Sequence, residues 1–242
     1  MNKALYAAAS GMAAQQQNLE VISENLSNAD VAGFKGAAAT FAEIASPDGG
    51  TLGTVQTGTQ TLFAQGKLMH SEGPFDLAID GPGFFAVVDG RGQRAYTRDG
   101  EFARGADGSL RNAQGWRLKG VRIPEDALSA RVAEDGTVTI TTAKGSARCG
   151  RIRLTEFPAP EYLRSAGGTL FFETRGSGKA RTVEPGTAGG PAIKFGMLEK
   201  SNVGIIEAMM QILAAQRAYE ANAKGVQAAD EMMRIADNLS RG

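Results

Sequence analysis

The sequence predicts an α+β protein: N- and C-terminal helices pairing as an antiparallel coiled coil, and between them in the chain a mostly antiparallel β middle domain. Three observations carry this. Apolar residues recur every seventh position through residues 5–26, and a helical period returns from residue 205 to about 239. The stretch between them reads as short apolar runs cut by Asp-Gly turn signals.

In the first helix Leu5, Met12, Leu19 and Leu26 define the repeat, with Ala8, Gln15 and Ile22 at the intermediate positions. That is the spacing of a coiled-coil seam. Alanine and glutamine stand where a self-sufficient helix carries leucine, so alone in water the segment is marginal. Its end is expected between Leu26 and Gly33, because Asn25 and Asn28 tolerate the left-handed backbone and Gly33 adopts it without penalty. Residues 36–65 are small, Thr/Gly-rich and weakly patterned, which reads as an extended connector.

Residues 66–196 form the expected β-rich domain. DLAID, FFAVV, RAYT, VRIP, TVTIT, RIRLTEF and TLFFET are its candidate strands, and DGRG, RDGE, ADGS and EDGT supply hairpin turns. With no amphipathic helix between strands, an antiparallel sheet or open barrel follows. Residues 197–242 close the chain, and with 1–35 make up the terminal helical domain. There Ile205, Met209, Ile212, Tyr219, Val226 and Met233 step at helical spacing over some 35 residues, longer than a usual globular helix. A chain that leaves one helix for the β region and returns through the other can pair them only antiparallel.

Composition excludes several functions. Lys+Arg and Asp+Glu balance at 26 each, so net charge favours neither nucleic acid nor an anionic membrane surface as partner. No run of 18 apolar residues exists, and membrane insertion is not expected. The start, MNKALYAAASGMAAQ, imitates a secretory signal, but the heptad runs unbroken through the supposed cleavage site, so no cleaved signal is expected. Cys149 is the lone cysteine and His70 the lone histidine, too few for a zinc site or an internal disulfide. Cys149 reads as a small strand residue and His70 as a surface or turn residue. Glycine, at about 13% against a usual ~7%, marks many turns.

The best enzyme-like string is Gly81-Pro82-Gly83-Phe84-Phe85-Ala86, a formal match to the dinucleotide pattern. That pattern binds pyrophosphate only where it opens a helix, and Phe84 to Val88 are β-formers. A small-ligand or nucleotide-binding enzyme built on this turn is the alternative of a different class. The stretch RGSGKA fails as a P-loop, with Glu173 at the first glycine position and Ala180 in place of the hydroxyl. Asp230, Glu231 and Asp237 on the last helix lack a histidine and read as a solvated face. No catalytic, cofactor-binding or metal-ligating set is expected.

Four blocks, in order, carry a family resemblance. Asn25-Leu26-Ser27-Asn28 with Gly33-Phe34-Lys35 resembles the N-terminal signature of the bacterial flagellar rod and hook family, with Val31 where that signature usually has threonine. Asp76 to Phe85, including Gly81, Gly83, Phe84 and Phe85, resembles its central block, and Tyr96-Thr97-Arg98-Asp99-Gly100-Glu101-Phe102 the next. Gly196 to Val203, with Ser201 and Asn202, is similar to the block before the last helix. Gln216 to Glu220 and the central blocks look most like the distal rod type, with the proximal rod paralogue next. The hook protein usually carries an additional outer domain for which this chain has no room.

The resemblance implies a structural subunit of the basal-body rod, not an enzyme. Such proteins pass unfolded through the flagellar type III export apparatus without a cleaved signal peptide. They polymerise with their own copies into a helical tube that crosses the periplasm and transmits torque. Implied partners are neighbouring rod and hook proteins and the L/P-ring bushing. The expected subunit interface is Leu5, Met12, Leu19, Ile22 and Leu26 with Ile205, Met209, Ile212, Tyr219, Val226 and Met233.

Overall fold

A computed structural model describes residues 3–45, 51–187 and 189–240. The chain divides into two compact units, one of Met1–Ser27, Ala37–Gln60 and Val203–Gly242, the other of Asn28–Gly36 and Thr61–Asn202. The divisions fall at 27/28, 36/37, 60/61 and 202/203, where the sequence reading places them at 35/36, 65/66 and 196/197.

In the helical unit, α1 spans Lys3–Ser27 and α2 spans Ile205–Ser240. Gly11 lies so close to Asn222 that an added Cβ would sit 2.8 Å from its amide nitrogen, and Gly225 faces the Ala8 methyl. Three residues back on α1 thus correspond to three residues forward on α2, so the helices pack antiparallel. The α2 face that meets α1 is a heptad of Ala208, Ala215, Asn222 and Ala229, whose three alanines are buried. Small residues let the two backbones approach closely. On α1 the buried positions are Ala14, Val21 and Ile22, with Leu5, Met12, Leu19 and Leu26 half-buried.

The stretch read as a connector is not a linker. Ala37–Ala45 and Thr51–Thr61 pair as a two-stranded sheet, where Phe41, Ile44, Val55 and the recurring threonines supply the β-favouring side chains. Residues 46–50, also within that reading, lie outside the described residues. The first strand is stitched to α1 by Asn25, whose amide nitrogen donates to the Ala37 carbonyl (2.7 Å) and whose oxygen accepts the Ala37 N–H (2.8 Å). The second is stitched by Ser10, whose hydroxyl accepts the Thr54 N–H at 3.2 Å. Asn25 and Asn28 therefore do not end the helix by taking the left-handed backbone: no described non-glycine residue has positive φ. The Asn25 side chain itself imitates a strand edge.

In the β unit the main ladder runs Ser129–Val132, Thr137–Thr142, Gly145–Arg151, Arg117–Arg122, Phe84–Val88, Arg94–Thr97, Leu170–Phe172 and Arg164–Ser165, antiparallel at every step. Each expected stretch contains strand, but RIRLTEF is split between the end of Gly145–Arg151 and Leu154–Glu156, and VRIP contributes only Val121 and Arg122. The Ile123 N–H turns away to the Gly108 carbonyl (2.7 Å), and Pro124 has no N–H to offer. Alternation builds the core. Phe85 and Val87 point into a cluster with Leu77, Ile79, Leu110, Ile152, Leu154 and Ile193, while Phe84 points to the other face. There Phe84, Tyr96, Phe157, Leu163 and Phe171 form a second cluster, with Phe63 meeting the Phe171 ring edge-on at 5.0 Å. Cys149 lies half-buried on Gly145–Arg151 against the main cluster, and His70 is exposed at the end of Leu68–His70.

Because Phe85 is fully buried, Phe85→Ala is expected to destabilise the β unit by about 3–5 kcal/mol. Chemical denaturation followed by the Trp116 fluorescence checks this; Phe41→Ser on the exposed hairpin should leave the same transition in place.

Candidate functional site

The strand Met197–Glu199 pairs antiparallel with Leu68–His70, and this register turns the Glu199 side chain fully inward. Its Oε1 accepts Lys35 Nζ at 2.6 Å and the Gly66 N–H at 2.8 Å, and its Oε2 accepts a hydrogen bond from Arg98 Nη1 at 3.1 Å. The Glu199 carbonyl accepts the Gly33 N–H at 2.7 Å. Lys35 also donates to the Ala64 carbonyl (2.8 Å), and Arg98 to the Gly81 carbonyl (2.7 Å).

Three residues on, Asn202 continues the pattern. Its oxygen accepts the Gly36 N–H (2.9 Å) and its amide donates to the carbonyls of Leu62 (2.6 Å) and Ala64 (3.1 Å). The Gly36 carbonyl in turn accepts the Leu62 N–H at 2.7 Å. Residues 33–36, 62–66 and 199–202 are thereby joined in one clasp. They lie at three of the four points where the chain enters or leaves the β unit.

Gly33 is required at its position by two constraints. Its φ is +67°, and an added Cβ would lie 2.2 Å from the Asp99 nitrogen. Phe34 beside it is buried. Gly81 and Gly83 also have positive φ, and the turn they form has its backbone engaged by the protein: Gly81 N–H donates to Gln65 Oε1 at 3.0 Å and its carbonyl serves Arg98. The next element is the strand Phe84–Val88, not a helix, so the dinucleotide reading lacks the helix N-terminus it needs.

Two cations meet one carboxylate here. Burial holds the Lys35 ammonium below its ordinary pKa, with Glu199 opposing the shift, and burial likewise lowers Arg98 against the opposing pull of Glu199. The Arg98 guanidinium also lies over the Phe84 ring, 5.6 Å from its centroid, while its Nε makes no hydrogen bond. Next in sequence, buried Asp99 accepts the Glu101 N–H at 3.0 Å. Burial nevertheless pushes its pKa up to about 6.

Of the residues singled out by sequence, Gly33, Gly81 and Asn202 belong to this clasp, and Ser201 lies half-buried between Glu199 and Asn202. Asn28 makes the preceding turn, its carbonyl accepting the Val31 N–H at 3.2 Å. Asn25 acts in the helical unit, and Phe84 and Phe85 in the two apolar clusters. On α2, Ile212 and Val226 are half-buried, whereas Ile205, Met209, Tyr219 and Met233 are exposed. Sequence reasoning passed over Lys35, Arg98 and Glu199 as functional positions. Their signal was opposite charge inside otherwise apolar or glycine-rich blocks, GFKG, YTRDG and GMLEKS.

Asp99 has a folded pKa of about 6 against an ordinary 3.8. The folded chain therefore binds more protons between these values, and the stabilisation from this group is complete below about pH 4 and lost as pH rises through 6. The difference is about 3 kcal/mol. Denaturation midpoints of Asp99→Asn against the parent, followed from pH 4 to 7, should diverge by that order across the window. Gly33→Ala should destabilise the β unit by more than the ~1–2 kcal/mol of a left-handed alanine, since a backbone clash is added; thermal unfolding reads it.

Comparison with known proteins places these features in a family. Three family models match: "Flagella basal body rod protein" over residues 5–35, "Flagellar hook protein FlgE/F/G D1 domain" over 78–140, and "Flagellar basal body rod FlgEFG protein C-terminal" over 195–239. The chain is 37% identical over 264 residues to the flagellar basal-body rod protein FlgG of Borreliella burgdorferi, covering 100% of both chains. It is 34% identical to the FlgG of Caulobacter vibrioides, covering 98% of this chain and 99% of that one. To the FlgF of the same organism it is 30% identical, covering 98% and 97%. FlgG relatives recur across many bacteria and FlgF matches more weakly, so the chain belongs to the flagellar basal-body rod family of structural, non-enzymatic proteins and is of the FlgG type.

Proposed function

We propose that this chain is a distal rod subunit that polymerises with copies of itself into a helical tube carrying torque from motor to hook, with α1 and α2 as a coiled coil in the inter-subunit layer. The observation that carries the polymer is the outer surface of α2. Ile206 is 77% exposed and Met210 and Met232 60% each, with Ile205, Met209, Leu213, Tyr219, Met233 and Ile235 exposed beside them. A helix that turns alanines to its partner and its largest apolar side chains to water is half of an unfinished interface. Each such side chain buried by a neighbouring copy contributes roughly 1.5–3 kcal/mol. The half-buried Leu5, Met12, Leu19 and Leu26 extend that surface along α1, with Ile22 already buried.

A contact that joins unlike surfaces of successive copies builds a filament when its rotation does not close into a ring. Neighbouring rod and hook proteins at the two ends, the L/P-ring bushing around the tube, and passage through the type III export apparatus without a cleaved signal belong to this reading, as does a place in the rod crossing the periplasm. Among the described residues no helix is long and apolar enough to cross a membrane.

Leu213→Asp and Met209→Asp are expected to abolish filament growth, read by light scattering and electron microscopy, while the circular dichroism of the β unit stays unchanged. Normal filaments from both variants would remove the proposed interface. In dilute monomer, mild proteolysis should cut within 1–27 and 203–242 and spare the body of 61–202, as mass spectrometry of the fragments would show.

A further inference from the structure

The clasp and the apolar core of the β unit are built from different parts of the chain. The main cluster draws its buried residues from Leu77 to Ile193. Of the clasp stretches 33–36, 62–66 and 199–202, only Phe63 packs against an apolar cluster, the second one. The core can therefore be complete while the clasp is undone. The clasp stretches are joined instead by polar bonds that converge on Glu199 and Asn202.

We propose that these three stretches form a single latch, opening and closing together over a core that stays folded, and that the charge of Glu199 holds it shut. With Glu199 neutral, Lys35 and Arg98 are left buried without a counter-charge, which is far more costly than losing one hydrogen bond. Arg98 follows the strand Arg94–Thr97 of the main ladder and cannot leave without disrupting it. Lys35 sits on the short segment Asn28–Gly36, which can. Release of that segment carries the ammonium to water and relaxes the left-handed Gly33. It also strips the Gly33 amide of its acceptor and parts Gly36 from Asn202 and Leu62. The latch frees the entry and exit points of the β unit without unfolding it.

Native-state hydrogen exchange by NMR on the dilute full-length chain tests this. The amides of Gly33, Gly36 and Leu62 are expected to exchange with one shared opening equilibrium, about 100-fold or more faster than those of the core residues Ile123 and Ile152. Glu199→Gln should speed the three by a further ~10-fold or more and leave Ile123 and Ile152 unchanged, and adding Lys35→Met to that variant should slow the three again. Exchange of the three at the core rate, unrelated rates among them, equal acceleration of the core by Glu199→Gln, or no slowing by Lys35→Met would each overturn the proposal. Should Glu199→Gln fail to fold, the grouping of the three amides in the parent chain decides alone.

Discussion

The joining of residues 33–36, 62–66 and 199–202 depends on burying two cations against one carboxylate. Removing Lys35, Arg98 and Glu199 from water costs several kcal/mol per ion, and the arrangement holds only because almost every donor and acceptor around it is engaged. The Ala64 and Gly81 carbonyls take the hydrogens that Glu199 cannot, and the Gly66 amide takes the carboxylate oxygen that Lys35 leaves partly free. Such a cluster is weak evidence for stability. Its bonds tie residues 33–36, 62–66 and 199–202 together in one arrangement.

The aromatic cluster works beside it through shape. Phe84 carries Arg98 over its ring and Phe63 at its edge, so the strand that feeds the main core with Phe85 also braces the clasp from the other face. Alternation along a single strand, Phe84 one way and Phe85 the other, is what lets one motif serve both.

In the helical unit the same economy runs the other way. The contact between α1 and α2 uses glycine and alanine, which bring the helices close but bury little apolar area. The larger side chains of α2 are left outside. A lone chain therefore keeps the largest apolar side chains of α2 in solvent.

Sequence by itself determined the two helices, several of the core strands and the family, because each rests on local periodicity or on a contiguous block. The heptad of Leu5 to Leu26, the run from Ile205 and the alternation in FFAVV and TVTIT are readable within a few turns of chain. Three things required the tertiary structure. The stretch 36–65 is paired through Asn25 and Ser10, partners 12 and 44 positions away that no local pattern encodes. The α2 face turned to α1 is an alanine heptad, which a search for large apolar residues passes over. Glu199 meets Lys35 and Arg98 across separations of 164 and 101 positions. A charge in a sequence reads as solvent-exposed until the fold supplies its opposite, since only pairing makes its burial affordable.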